Sequence, residues 1–299
     1  MYKIVNRWDH GNAIKVEWNL GKRCNYDCSY CPSEIHDNTS GHTDIEILKL
    51  CVDQLACLGK PIRLSFTGGE PCVHPKFEEL IRYTRFKGIQ WISVTTNGTL
   101  PFEFYHKLTV DQYVFSIHFE YDWRRVVNTI HKLHAAGPVK IVAQIMCHHE
   151  HMPAATQVRA MMLQADIPST MRRIRWTKGD HDLFDDMRYN GCDLELLKSQ
   201  EATVQPNTII FYKDKPNEHK HANDIIKLKL NQYKGWTCNA GIESLMINWD
   251  GLVHRATCRV GNALGNIYNG KFVVPSEPVT CDRNFCTCAA DIPLTKQLL

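Results

Sequence analysis

The sequence predicts an α/β protein, a partial (β/α)6 TIM barrel followed by a small C-terminal unit built on a β-hairpin. Three observations lead there. Through residues 1–180, short apolar strands alternate with helix-period segments, the pattern of parallel sheets. Several of these strands run into loops rich in cysteine, glycine or asparagine. After about Gly179 the alternation breaks, and five of the thirteen cysteines fall beyond residue 237. Six strand–helix steps fall short of a closed eight-fold barrel. Residues that perform chemistry are expected in loops at the C-terminal ends of the strands.

Taken in order, Ile14 to Leu20 reads as the first strand and ends at a cysteine-rich loop. Thr43-Asp44-Ile45-Glu46 has capping-box spacing, with Ile45, Leu48, Val52 and Leu55 following at helical period. Ile62 to Phe66 alternates as a strand and meets Thr67-Gly68-Gly69-Glu70-Pro71. A helix from about Pro75 to Phe86 stops at Gly88. Ile92 to Thr96 is the third strand, closed by Asn97-Gly98, and Tyr113 to Phe119 the fourth. A helix spans Trp123 to Ala136. Val139 to Met146 is apolar enough to be buried on both faces. Pro153 to Gln164 gives another helix and Met171 to Trp176 the sixth strand. The division expected is a core over 1–180, a polar bridging region with a short helix over 181–235, and a cysteine-bearing unit over 236–299. There, Ser244 to Asn248 and Leu252 to Ala256 flank a turn at Trp249-Asp250-Gly251.

The chain has 299 residues, enough for one large domain or one domain with an appendage. A net charge of +3 argues against a polybasic nucleic-acid tail or an acidic disordered protein. No apolar run reaches the about 18–20 residues of a membrane span, and residues 1–8 lack a signal-peptide stretch. Thirteen cysteines cannot all pair within one chain. The expectation is a cytoplasmic, reducing setting in which thiols stay free or bind metal.

The strongest motif is Cys24-Asn25-Tyr26-Asp27-Cys28-Ser29-Tyr30-Cys31. Three thiolates in one loop can hold three irons of a [4Fe–4S] cube and leave the fourth open to a small molecule. The alternative for such spacing is a structural zinc loop, although zinc normally takes four ligands. With Tyr30 as the aromatic residue before the last cysteine, the loop resembles that of the radical S-adenosylmethionine (SAM) superfamily. Gly68-Gly69-Glu70 one α/β unit later resembles its Gly-Gly-Glu motif, which implies that Glu70 and the Gly68–Gly69 backbone hold the SAM amino group. Glycines admit close backbone approach, and a carboxylate accepts hydrogen bonds from an ammonium. The resemblance extends to Thr96-Asn97-Gly98 and to Ser116, a small polar residue placed to reach the SAM ribose. It implies reductive cleavage of SAM to a 5′-deoxyadenosyl radical, with an electron from a flavodoxin- or ferredoxin-type partner.

Cys238, the Met246 to Val253 hairpin, Cys258 and Leu264-Gly265-Asn266-Ile267 resemble the auxiliary-cluster extensions called SPASM and twitch domains. Two departures stand out: the stretch from Gly251 to Cys258 is longer than usual, and the seven-cysteine SPASM set is absent. Five thiols suit one auxiliary [4Fe–4S] cluster, with Cys238 and Cys258 as ligands and two or more from Cys281, Cys286 and Cys288. A four-thiolate zinc site is the alternative.

Cys51 and Cys57 read as small core residues. Cys72 and Cys147 belong at the barrel mouth, where either thiol could donate a hydrogen atom to a substrate radical; burial in the core is the plainer reading. In Cys147-His148-His149-Glu150-His151, His149 and His151 could chelate a metal or simply lie in a solvated loop. Arg173 and Arg175 share a face of the sixth strand. They either point into the barrel toward a substrate carboxylate or phosphate, or lie outward over helices. With the cluster loop beginning at residue 24, no leader-peptide-binding domain is expected ahead of it, and this expectation favours a small polar, anionic substrate of sugar, nucleotide or cofactor-precursor type. A peptide-modifying enzyme and a non-catalytic metal-stabilised binding protein are the alternatives.

Overall fold

In a computed structural model the described residues are 1–178, 182–184, 188–200 and 203–298. The chain begins with β1 (Lys3–Asn6) and continues through β2 (Ile14–Asn19), α1 (Ile45–Ala56), β3 (Ile62–Thr67), α2 (Phe77–Phe86) and β4 (Trp91–Thr96). It proceeds through α3 (Phe102–Lys107), β5 (Gln112–Ile117), α4 (Trp123–Ala136), β6 (Lys140–Cys147), α5 (Met152–Gln164) and β7 (Ser169–Arg173). Strands β2 to β7 lie side by side in chain order, all parallel. They form the expected partial barrel.

Side-chain alternation explains the barrel's two surfaces. In β2, Ile14, Val16 and Trp18 are buried while Lys15, Glu17 and Asn19 are half-buried; β3 repeats this with Ile62, Leu64 and Phe66 against Arg63, Ser65 and Thr67. Successive residues point to opposite faces. The apolar set therefore packs with Leu48, Leu80, Val127 and Val158 of the helices, and the polar set faces the lumen. The expectation that the fifth barrel strand is buried on both faces is overturned. β6 buries Ile141, Ala143, Ile145 and Cys147 but leaves Val142, Gln144 and Met146 half-exposed, because only its outer face meets helices.

Three other expectations change. The capping-box reading gives way at α1, where Asp44 is the N-cap and accepts from the Glu46 amide, while the Thr43 carbonyl is taken by His74 Nε2 at 2.9 Å. Cys57 sits at the end of that helix and is exposed, whereas Cys51 is buried in the core. The sixth barrel strand stops at Arg173, and Trp176 begins a separate ribbon, β8 (Trp176–Lys178) with β9 (Asp182–Phe184).

Beyond the barrel come α6 (Gly191–Ser199), β10 (Thr208–Phe211), β11 (Glu218–Lys220) and α7 (Ala222–Lys227). The remaining elements are β12 (Thr237–Cys238), β13 (Ser244–Ile247), β14 (Leu252–His254), β15 (Gly265–Asn266), β16 (Lys271–Phe272), β17 (Val279–Thr280) and β18 (Lys296–Gln297). The hairpin β13–β14 forms as expected. It also continues the barrel sheet, because β13 pairs in parallel with β2, Ser244 opposite Lys15 and Ile247 opposite Trp18. A second sheet in the order β11-β10-β1-β18-β12-β17 joins the N-terminus, the bridging region and the C-terminus. Among the described residues, no helix is long and apolar enough to cross a membrane.

Candidate active site

The loop after β2 brings Cys24, Cys28 and Cys31 into one small cluster with Tyr26, Tyr30, Met146 and Ile174. The loop after β5 clamps it. Tyr26 stacks on Tyr121 with ring centroids 3.7 Å apart, the Tyr121 hydroxyl accepts from the Asp27 amide, and Glu120 Oε2 accepts from the Ser29 amide at 3.1 Å. His118 Nδ1 lies 2.6 Å from the Tyr30 hydroxyl and 3.4 Å from Cys28 Sγ. Burial pushes the Cys28 thiol up to about 12, helped by Glu120 and the other two thiols. Cys31 rises to about 11 for the same first reason. Burial also pushes His118 down to about 4, against the pull of Glu120, so its ring is neutral at neutral pH. Thiols of this kind take up metal with release of their protons.

The Gly-Gly-Glu turn packs directly under that loop. The Gly69 amide donates to the Gly21 carbonyl at 2.8 Å and the Glu70 amide to Arg23 at 2.9 Å. A Cβ on Gly69 would lie 2.3 Å from the Lys22 oxygen, and one on Gly68, at φ +123°, would lie 2.6 Å from the Gly21 oxygen. The close approach these glycines allow is thus that of the chain's own backbone. Glu70 is buried, and its carboxylate accepts from the Cys72 amide at 3.0 Å, the Thr96 hydroxyl at 2.8 Å and the Asn97 amide at 2.6 Å. Burial raises its pKa, opposed by those donors. The Asn97 side chain donates to Asn25 at 2.8 Å and approaches Cys24 Sγ at 3.9 Å. The ends of β2, β3 and β4 therefore form one hydrogen-bonded unit. Ser116 occupies the lumen face of β5, two residues before His118.

Other expected site residues lie elsewhere. Cys147 is on the outer, helix-facing side of β6, its thiol bonded to the Ile145 carbonyl at 3.3 Å, so it does not face the barrel mouth. Cys72 is buried in the main core, and its backbone amide donates to Glu70 at 3.0 Å. Register moves the arginines too. Arg173 pairs with Cys147 and shares its outward side, over the Tyr189 ring at 5.6 Å, and Arg175 lies past the strand end, exposed. Arg172, opposite Met146, is the one that faces the lumen; it donates to Asn223 at 3.0 Å. In the histidine segment the donors that converge within 4.8 Å are His148, Glu150 and His151, not His149 with His151. His148 Nδ1 accepts the Glu150 amide at 3.2 Å, which spends the lone pair of the neutral ring.

At the C-terminus, Cys238, Cys258, Cys281 and Cys286 line one pocket with Asp291 and Lys296. Lys296 is buried, donating to the carbonyls of Asp291 at 2.6 Å, Ile292 at 3.0 Å and Leu294 at 3.3 Å. Burial lowers its pKa, but interaction with the surrounding cysteines and Asp291 outweighs that and leaves it raised. Cys288 is not in that lining. Burial pushes it up to about 12, with Asp291 and Glu17 adding to the rise and Lys15 opposing it, and its charge reaches Arg172. His118, Glu120, Tyr121 and Lys296 were not singled out by the sequence, since a histidine, a carboxylate or a lysine near a strand end carries no pattern of its own.

The radical SAM superfamily is matched over residues 18–155. The Fe-coproporphyrin III synthase of Methanosarcina barkeri is 38% identical over 86 residues, 28% of this chain and 21% of that protein. The S-adenosylmethionine-dependent nucleotide dehydratase of Selenomonas ruminantium is 32% identical over 90 residues, 29% of this chain and 31% of that protein. The chain thus spans less than a third of the length of these curated relatives. Among solved structures, Streptococcus suis SuiB bound to S-adenosylmethionine aligns with a TM-score of 0.55 at 14% identity, covering 87% of this chain and 64% of that one. That likeness is one of fold.

Proposed function

Residues 18–155 belong to the radical SAM superfamily, and from that premise we propose an enzyme that cleaves SAM reductively and takes a hydrogen atom from a small, polar, anionic substrate. Members of the superfamily use a [4Fe–4S] cluster and SAM, and the reduced cluster supplies the electron that breaks the sulfur–carbon bond. The observation that carries the reading is the joining of Cys24, Cys28 and Cys31 to Glu70, Thr96 and Asn97 at the ends of three adjacent strands. Three thiols from one loop fit a cube with an open iron better than a closed zinc site.

In this reading Cys24, Cys28 and Cys31 hold the cluster. Glu70 keeps one lone pair, on Oε2, for the SAM ammonium, while Thr96 and Asn97 fix the orientation of its carboxylate. Gly68 and Gly69 set the distance between that carboxylate and the cysteine loop. Ser116 serves the ribose, and Arg172 holds a carboxylate or phosphate of the substrate within the lumen. Two relatives, a nucleotide dehydratase and an Fe-coproporphyrin III synthase, support a small-molecule substrate. Cys238, Cys258, Cys281 and Cys286 hold one auxiliary [4Fe–4S] cluster, with the Lys296 ammonium offsetting the charge of the thiolates. A flavodoxin- or ferredoxin-type protein supplies electrons.

The test is anaerobic reconstitution followed by reduction with SAM. 5′-Deoxyadenosine and methionine should form in wild type and not in Cys28→Ala. A colourless zinc protein that never cleaves SAM would establish the binding-protein alternative. Substrate class is read by transfer of deuterium from labelled candidates into 5′-deoxyadenosine; transfer from peptides but not from nucleotides or carboxylates would favour a peptide-modifying enzyme.

A further inference from the structure

We propose that Glu17 selects the substrate. From the lumen face of β2 its carboxylate accepts a hydrogen bond from a hydroxyl or ammonium group, so the substrate carries such a donor besides the anionic group held by Arg172. The inference rests on the reading of the lumen as the chamber for an anionic substrate. Glu17 is half-buried and stands between Lys15 and Asn19 on the polar face of the strand. Asn19 lies opposite Thr67, where β3 runs into the Gly-Gly-Glu turn. At about 3.3 Å per residue, Glu17 is about 7 Å below that end of the barrel. Its register partners are Ser65 on β3 and Met246 on β13, so no charge flanks it across the sheet.

The carboxylate is short of donors. Its two oxygens offer about four lone-pair positions, and among the described residues it accepts one hydrogen bond, from the Thr257 hydroxyl to Oε2 at 3.3 Å. Lys15 shares the face, but its ammonium donates to the Ala290 carbonyl at 3.4 Å instead of pairing with Glu17. Burial raises the Glu17 pKa, with Asp291 adding to the rise and Lys15 and Thr257 opposing it. The buried glutamates Glu70 and Glu243 are treated differently. Glu70 takes the Cys72, Thr96 and Asn97 donors, and Glu243 takes the Asn239 side chain and the Thr295 amide. A carboxylate taken from water without such donors is costly until a ligand brings one. The same carboxylate disfavours any ligand that sets an apolar or anionic end against it.

The experiment uses the full chain, reconstituted anaerobically with SAM present and checked for iron content. Two probes of equal reach are titrated by calorimetry: ribose 5-phosphate, which carries hydroxyl donors, and pentyl phosphate, which carries none. Wild type should bind ribose 5-phosphate about tenfold more tightly or better. Glu17→Leu should bring the ratio near one without weakening pentyl phosphate. Glu17→Gln keeps an acceptor and should retain part of the preference, and it decides the matter if Glu17→Leu fails to assemble. Arg172→Ala should weaken both probes alike. Equal affinities in wild type, or a preference that survives in Glu17→Leu, would overturn the role of Glu17 and leave the anionic-substrate reading standing. A wild-type protein that cleaves SAM and binds neither phosphate would overturn that reading and the inference with it.

Discussion

The two cysteine groups of this chain are built on opposite plans. The first is local, with three thiols inside residues 24–31, on a loop held by side chains from the end of β5. The second is dispersed, with four thiols drawn from residues 238 to 286 into a pocket around a buried lysine. In the proposed reading the first leaves a coordination position for a ligand, and the second offers a complete set of four. The difference teaches that an open site must be oriented from outside by residues such as Glu70 and Tyr121, whereas a closed site is oriented by its own ligands.

The largest effect expected is on the open site. Cys28→Ala should reduce SAM cleavage to background while leaving the iron of the C-terminal group in place; retained turnover would break the assignment. Next, Cys258→Ala should remove about one cluster's worth of iron. Cys288→Ala should leave iron content unchanged, and a loss there equal to that of Cys258→Ala would mean that the pocket lining misidentifies the fourth ligand. Lys296→Met strips a buried charge from among thiolates and should destabilise the folded holoprotein by about 3–5 kcal/mol, read as a lowered unfolding midpoint. A midpoint equal to wild type would show that the pocket carries no net negative charge. The smallest effect is expected from Arg172→Ala, which should weaken substrate binding through KM while both iron contents and SAM cleavage without substrate stay at wild-type levels. An equal effect from Arg173→Ala would contradict the assignment of the two arginines to opposite faces.

Much of this was legible along the chain because the signals are local. Ile14, Val16 and Trp18 declare a strand with one buried face, and Gly68-Gly69-Glu70 stands at the end of the neighbouring strand. Cys238 and Cys258 were recognisable from the hairpin between them. The misreadings arose where one residue of register decides the outcome. Arg173 and Arg175 were paired by period two, but the strand ends at Arg173 and its partner Cys147 faces outward, which leaves Arg172 to the lumen. The apolar run of β6 concealed a lumen face that no helix covers.

The sequence by itself determined the parallel α/β core, the three-cysteine loop and the proximity of Glu70 to it. The first two follow from side-chain periodicity and the short spacing of the cysteines, and the third from the succession of two parallel strands together with the resemblance of Gly68-Gly69-Glu70 to the superfamily motif. Only the tertiary structure decided which cysteines share the C-terminal pocket, that β13 extends the barrel sheet at β2, and that His118, Glu120 and Tyr121 clamp a loop about ninety residues earlier. Such choices depend on strand order and on which face each strand end presents, and those are set by packing between segments far apart in the chain.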